Sequence, residues 1–150
     1  MNYKIKNKIV LVTGGSRGIG QEICKSLAKE GAKIIACSRN KKDLSKLISS
    51  LPNKKKHFLF NYDLAQKSEL YNLINMIKDK GIHPDIIVNN VGGNLGYTDP
   101  LGSSDEWKKV MHLNVEVAVE LNRAFIPHMI KKKWGRICHI SSIAALENQG

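Results

Sequence analysis

Residues 13–20 read Thr-Gly-Gly-Ser-Arg-Gly-Ile-Gly and follow directly on the apolar run Ile9-Val10-Leu11-Val12. A strand stops, glycines follow, and a helical pattern opens at once, with Ile19, Ile23 and Leu27 on one side. That order suits an anion. Gly14 permits a tight turn, Gly18 lets a phosphate approach the backbone, and Gly20 lets the helix pack on the strand. The helix start adds free N–H groups and partial positive charge. Its chemistry is that of a pyrophosphate cradle, and its place near the N-terminus suits the first unit of a dinucleotide fold.

Other residues extend the reading. Ser38-Arg39 stands where a dinucleotide site otherwise carries an acidic residue for the ribose hydroxyls. A hydroxyl and a guanidinium, with Arg17 as a second cation, suit a 2′-phosphate and point to NADP(H) over NAD(H). Asp63 can cap a turn or hydrogen-bond an adenine amino group. In Asn89-Asn90-Val91-Gly92-Gly93, the asparagines can tie strand ends together and the glycines let backbone lie against a cofactor. Asn114 is a poor helix former among apolar neighbours, suited to holding a water in a locally opened turn. Ser141 and Ser142 can cap a turn or hydrogen-bond a substrate carbonyl. No paired carboxylates and no Ser-His-Asp arrangement stand out. His112, His128 and His139 read as surface or satisfied core residues. The three cysteines and five histidines show no metal-ligand spacing.

These residues need positioning, and the pattern supplies it. Strands are predicted over residues 8–12, 33–37, 57–61, 85–89 and 135–140. Helices are predicted over 19–30, from Asn40 as cap to Leu51, over 64–80, and over 106–132, the last interrupted or kinked by Pro127. Ser103 and Glu106 have capping-box spacing. Alternating strands and helices imply a doubly wound parallel sheet in the order 3-2-1-4-5, with ligands beyond the carboxyl ends of the strands. Gly14, Ser38-Arg39, Asp63, Asn90 and Ser142 all fall at those ends, so the fold gathers them along one rim.

Composition bounds the alternatives. The chain has 150 residues, enough for one domain with a core, and 42% hydrophobic content. No apolar run suffices for a membrane span, and the basic N-terminus does not resemble a signal peptide. A cytoplasmic protein with reduced thiols is expected. The net charge of +11 raises a nucleic-acid reading. The lysines are scattered, however, and the clusters 54–56 and 131–133 have no interleaved aromatics for base stacking, so nucleic acid is not the expected partner.

Together, TGGSRGIG (13–20), Asp63-Leu64, NNVGG (89–93), LNV (113–115) and GRICHISS (135–142) resemble the short-chain dehydrogenase/reductase family in order and spacing. The pattern looks most like the 3-oxoacyl-acyl-carrier-protein reductase branch. The resemblance implies a Rossmann-type NADP-binding domain over 1–150. Gly14, Ser16, Arg17, Gly18, Ile19 and Gly20 would line the diphosphate and ribose, and Arg39 would meet the 2′-phosphate. Asp63 and Leu64 would flank the adenine, with Asn90 and Gly92 also on the cofactor. Asn114 would hold the water of a proton relay, and Ser142 would polarise the substrate carbonyl. No metal is implied.

The resemblance also implies a proton-donating tyrosine and its lysine, in the pattern Tyr-x-x-x-Lys, beyond Gly150. Tyr3, Tyr62, Tyr71 and Tyr97 are misplaced to substitute. The expectation is therefore an NADPH-dependent reductase of a small-molecule carbonyl or acyl-carrier-bound substrate, with homo-oligomeric full-length relatives. These 150 residues, read as a fragment incomplete at the C-terminus, are expected to lose about 10²–10⁴-fold in carbonyl reduction without the proton donor. The alternative is a non-catalytic NADP(H)-binding module or an inactive gene remnant.

Overall fold

Val10, Leu11 and Val12 are fully buried, and so are Ile34, Ile35 and Ala36. Strands that are apolar on both faces must be covered on both faces, which requires a parallel sheet with crossover helices. The computed structural model describes residues 4–143 and Leu146. Its strands are β1 (Ile9–Thr13), β2 (Lys33–Cys37), β3 (Phe58–Phe60), β4 (Ile86–Asn89) and β5 (Arg136–His139), and they form one sheet in the order β3-β2-β1-β4-β5. Every pairing is parallel, with Val12 opposite Ala36 on one side and Val88 on the other. This is the doubly wound, Rossmann-type order the sequence predicts.

Alternation along the strands divides the core in two. Leu11, Ile35 and Ile87 face helix α3 (Lys67–Asp79) and helix α5 (Val117–Lys131), through Leu70, Leu73, Ile77, Leu121 and Phe125. Val10, Val12, Ile34 and Val88 face helix α1 (Gly18–Lys29) and helix α2 (Lys41–Ser50), through Cys24, Ala28, Leu44 and Leu47. The predicted caps are present. Asn40 accepts from the Lys42 and Asp43 amides. Ser103 and Glu106 form a reciprocal capping box on helix α4 (Ser104–Met111).

Along α1 the side of Ile19, Ile23 and Leu27 is not the most buried one: Ile19 is 64% exposed, and the buried stripe is Gly20, Cys24 and Ala28. Small side chains there bring the helix close to the sheet, and the stripe advances by four residues, as helical periodicity requires. The helix predicted from Leu64 begins at Lys67, because Asp63 closes a turn first: its carboxylate accepts from the Ala65 amide and its carbonyl from Gln66. Pro127 does not interrupt its helix, since α5 runs through it. Its ring displaces the bond to the Arg123 carbonyl, and both residues are exposed, so water can replace the bond. The break in α-geometry lies upstream, in a π-helical segment at His112–Glu116 between α4 and α5.

Asp85, at the foot of β4, fastens the sheet to the end of α5. It is 4% exposed. It accepts from the Ile9 amide at 2.9 Å and from Lys132 Nζ at 2.6 Å. Burial pushes its pKa up, but the hydrogen bonds from Lys132 and Ile9 and the charges of Lys132 and Lys8 outweigh that and hold it below the usual carboxylate range. A depressed folded-state pKa gives stability that is present above the unfolded value and lost as pH falls through the folded one. Melting temperature is therefore expected to drop as pH falls below about 4. Asp85→Asn should flatten that drop, and equal acid sensitivity in wild type and variant would contradict the assignment.

Cys24, Cys37 and Cys138 are free thiols. Burial pushes Cys24 and Cys37 up to about 12, whereas Cys138 is exposed on β5. Among the described residues no helix is long and apolar enough to cross a membrane, and no group of His, Cys, Asp and Glu is placed to hold a metal.

Candidate functional site

The glycine turn is built around Thr13, the last residue of β1. Thr13 is fully buried, and its Oγ1 accepts from the Asn90 and Val91 amides, each at 2.9 Å, while donating to the Val88 carbonyl at 3.4 Å. Asn90 reciprocates, its Nδ2 donating to the Thr13 carbonyl at 2.9 Å. The ends of β1 and β4 are thus knotted together, so the Asn90 side chain ties strands as the sequence allowed.

Gly20 lies behind this knot. A Cβ there would sit 2.4 Å from the Gly14 carbonyl oxygen and 2.6 Å from Asn90 Nδ2, so only glycine lets α1 start so close to the turn. Gly18 is the opposite case. It has φ +52° and open space where a Cβ would be, as a loop facing a ligand needs. Arg17, the N-cap, makes no side-chain capping bond, and the first turn of α1 contains no acidic residue. Its leading amides and positive dipole end are available to an anion.

Beside this loop lies a cleft of about 550 Å³ beyond the carboxyl ends of β1, β2 and β4. Gly14, Ser16, Arg17, Arg39, Asp63, Leu64 and Gly92 all line it. Ser16 is buried and donates to Ser38 Oγ at 2.7 Å, which couples the glycine turn to the end of β2. Arg17 and Arg39 are exposed at the rim. Gly18, Ile19, Gly20 and Asn90 lie outside the lining: Gly20 and Asn90 brace it from behind, and Ile19 stands exposed beside it.

Asn114 lies in the π segment and lines a second cleft of about 210 Å³, with Gly92, His139 and Ser141. Its Nδ2 donates to the Gly93 and Val110 carbonyls, both at 2.8 Å, and its Oδ1 accepts from the Gly93 amide at 3.0 Å. Both amide hydrogens are used, leaving one lone pair of Oδ1 for a water. Asn89 lines the same cleft, and its buried Oδ1 has no partner among the described residues. Ser142 is exposed and lines neither cleft.

Sequence reading missed several members. Thr13 gave no signal beyond being a β-former. Asp43 lines the larger cleft from the first turn of α2, giving the cleft a carboxylate where the strand end itself has none. Tyr62, two residues past β3, also lines the cleft. His112 is the satisfied core histidine that the sequence allows: it is 8% exposed and holds the π segment through Glu116 and the Leu64 carbonyl.

The geometry has close parallels. The chain is 32% identical over 139 residues to a 3-oxoacyl-acyl-carrier-protein reductase of Haemophilus influenzae, covering 93% of this chain and 57% of that protein. It superposes on L-sorbose reductase from Gluconobacter frateurii, solved with NADPH and L-sorbose, with TM-score 0.86 at 30% identity, covering 97% of this chain and 56% of that one. A 7α-hydroxysteroid dehydrogenase solved with NADH and 7-oxo glycochenodeoxycholic acid matches with TM-score 0.86 at 27% identity, over 99% and 58% of the two chains. The chain thus spans less than two thirds of the length of these proteins. The profile of short chain dehydrogenases matches residues 8–150, and the chain belongs to that family.

Proposed function

We propose that this chain forms the NADP(H)-binding part of an oxidoreductase that reduces a carbonyl to a hydroxyl group. The observation that carries the reading is the open N-terminus of α1 with Gly18 beside a cleft whose rim carries Arg17 and Arg39. The amides at residues 18–20 and the start of α1 hold the diphosphate. Arg39, with Arg17, pairs with the 2′-phosphate, and Ser16 supports the ribose side. Asp63 and Leu64 flank the adenine. The backbone of Gly92 lies along the cofactor, and Asn90 braces the glycine turn from behind. When bound, the cofactor supplies the hydride. Asn114 holds a relay water through its remaining lone pair, and Ser142 hydrogen-bonds the substrate carbonyl. The substrate class is a small-molecule ketone or an acyl chain on a carrier, as in the Haemophilus influenzae relative.

A second reading, a cofactor-binding module without catalysis, is favoured by one observation: Ser142 lies outside both clefts. Cofactor binding itself is tested at Arg39. NADPH is expected to bind more tightly than NADH by fluorescence titration. Arg39→Ala should weaken NADPH by about tenfold and leave NADH unchanged, the scale of one charge-assisted hydrogen bond. Equal affinities in the wild type would overturn the NADP assignment. Absence of binding by both would overturn the site.

A further inference from the structure

The proposed cofactor cleft and the cleft of Asn114 meet at the π segment, where one buried side chain spans two elements. His112 Nε2 donates to the Leu64 carbonyl at 3.1 Å, and Nδ1 faces a Glu116 carboxylate oxygen at 2.8 Å. Glu116 is also paired with Lys67, at the start of α3. The hydrogen bonds from Lys67 and His112 hold Glu116 below the usual carboxylate range. The turn at Asp63 fixes its own ends internally, through Asp63 to Ala65 and Gln66 and through Glu69 to the Asp63 amide. The Leu64 carbonyl is the point at which that turn is gripped from the π segment. Two residues on, Asn114 grips Gly93 through both its amide and its carbonyl.

We infer that His112 is a positioning residue. By bridging the Leu64 carbonyl and Glu116, it locks the Asp63–Leu64 wall of the larger cleft to the π segment that presents Asn114 to Gly93. The inference rests on the cofactor reading only for what the wall would bind. The tether itself is a property of the chain. Its physical basis is the cost of a lost partner. The Leu64 carbonyl lies at a 96% buried residue, so removing the imidazole leaves an acceptor unsatisfied and cuts the tie from the π segment to that turn, leaving the Glu116–Lys67 pair at the start of α3. A π segment is a local departure from regular helix, so freed of its braces it can relax toward α-geometry and carry Asn114 away from Gly93.

The test uses the full 150-residue chain and three variants. His112→Leu removes both bonds. His112→Gln keeps an amide able to reach the Leu64 carbonyl. Glu116→Gln weakens the other anchor and leaves His112 in place. Hydrogen exchange of the Gly93 amide is followed beside core amides of Leu11, Ile35 and Ile87, and affinity is measured for NADPH and for 2′,5′-ADP, which probes the adenine end alone. In His112→Leu, Gly93 protection should fall by about tenfold with the core amides unchanged, and 2′,5′-ADP should weaken by a similar factor. His112→Gln should restore most of both. Gly93 protection that holds in His112→Leu, or falls only in step with the core, overturns the inference. If that variant does not fold, unchanged Gly93 protection in both His112→Gln and Glu116→Gln, or no better protection in the former than in the latter, overturns it. A wild type that binds neither nucleotide removes the cofactor reading instead, and the exchange comparison still decides the role of His112.

Discussion

Thr13→Val is expected to cost about 2–4 kcal/mol of folding stability, although it swaps one methyl-sized group for another. The Thr13 hydroxyl is the shared acceptor for two amides of the Asn90–Val91 segment and a donor to β4. Valine fills the space and supplies no oxygen, so two N–H groups face a methyl group. Each buried unsatisfied donor costs about 1–3 kcal/mol, discounted here because Asn90 and Val91 are only partly buried. Thr13→Ser keeps the oxygen and should lose less than about 1 kcal/mol. Urea denaturation of the three proteins separates the effects. A valine variant within about 0.5 kcal/mol of wild type would show that the loop finds other partners.

Gly20→Ala should be the most damaging single-methyl addition at the glycine turn. Its Cβ would fall 2.4 Å from a backbone oxygen, and backbone cannot swing aside as a side chain tip can. Relief requires α1 to retreat from the turn, at a cost of about 1–3 kcal/mol in packing. The same retreat moves the anion-binding amides by a fraction of an ångström or more, and misplacement on that scale can cost about 10²-fold. Calorimetric titration with NADPH, with the melt as a control, reads both effects. An alanine variant that is folded and binds NADPH as the wild type does would remove Gly20 from the account.

Much of the rim was legible because it rests on local chemistry. A glycine turn between an apolar strand and an amphipathic helix has one sensible conformation. Asn40 and Ser103 announce their helix starts. Asn114 was conspicuous as a polar, weakly helical residue between Leu113 and Val115, and it does lie where the helix opens. Other features were illegible because their partners are distant in sequence. His112 becomes informative only once the Leu64 carbonyl, 48 residues away, lies beside it. Thr13 looks like any strand threonine until Asn90 and Val91 arrive, 77 and 78 residues later. The spacing puts Ile19, Ile23 and Leu27 on one side of α1 but does not say which stripe lies against the sheet; that place goes to Gly20, Cys24 and Ala28, one residue on, because small side chains let the helix come close. Pro127 does not end α5, because the carbonyl that its ring leaves without a partner is on an exposed residue, open to water.

The π segment can also be viewed as a surplus. Between α4 and α5 the chain holds one residue more than an unbroken α-helix of the same reach would need. Each residue turns a helix by about 100° and lengthens it by about 1.5 Å. Deleting a single codon within 112–116 would heal the helix into a regular rod and leave its two halves in phase, because the π turn holds its additional residue within about the rotation that an α-turn completes with one fewer. The Val117, Leu121 and Phe125 stripe would keep its place in the core, and the capping box would stay on its loop. What would go is the wide turn that carries Asn114, and with it the grip on Gly93. The extra residue is therefore a removable insert, one that reshapes a single turn and leaves the rods on either side as they are.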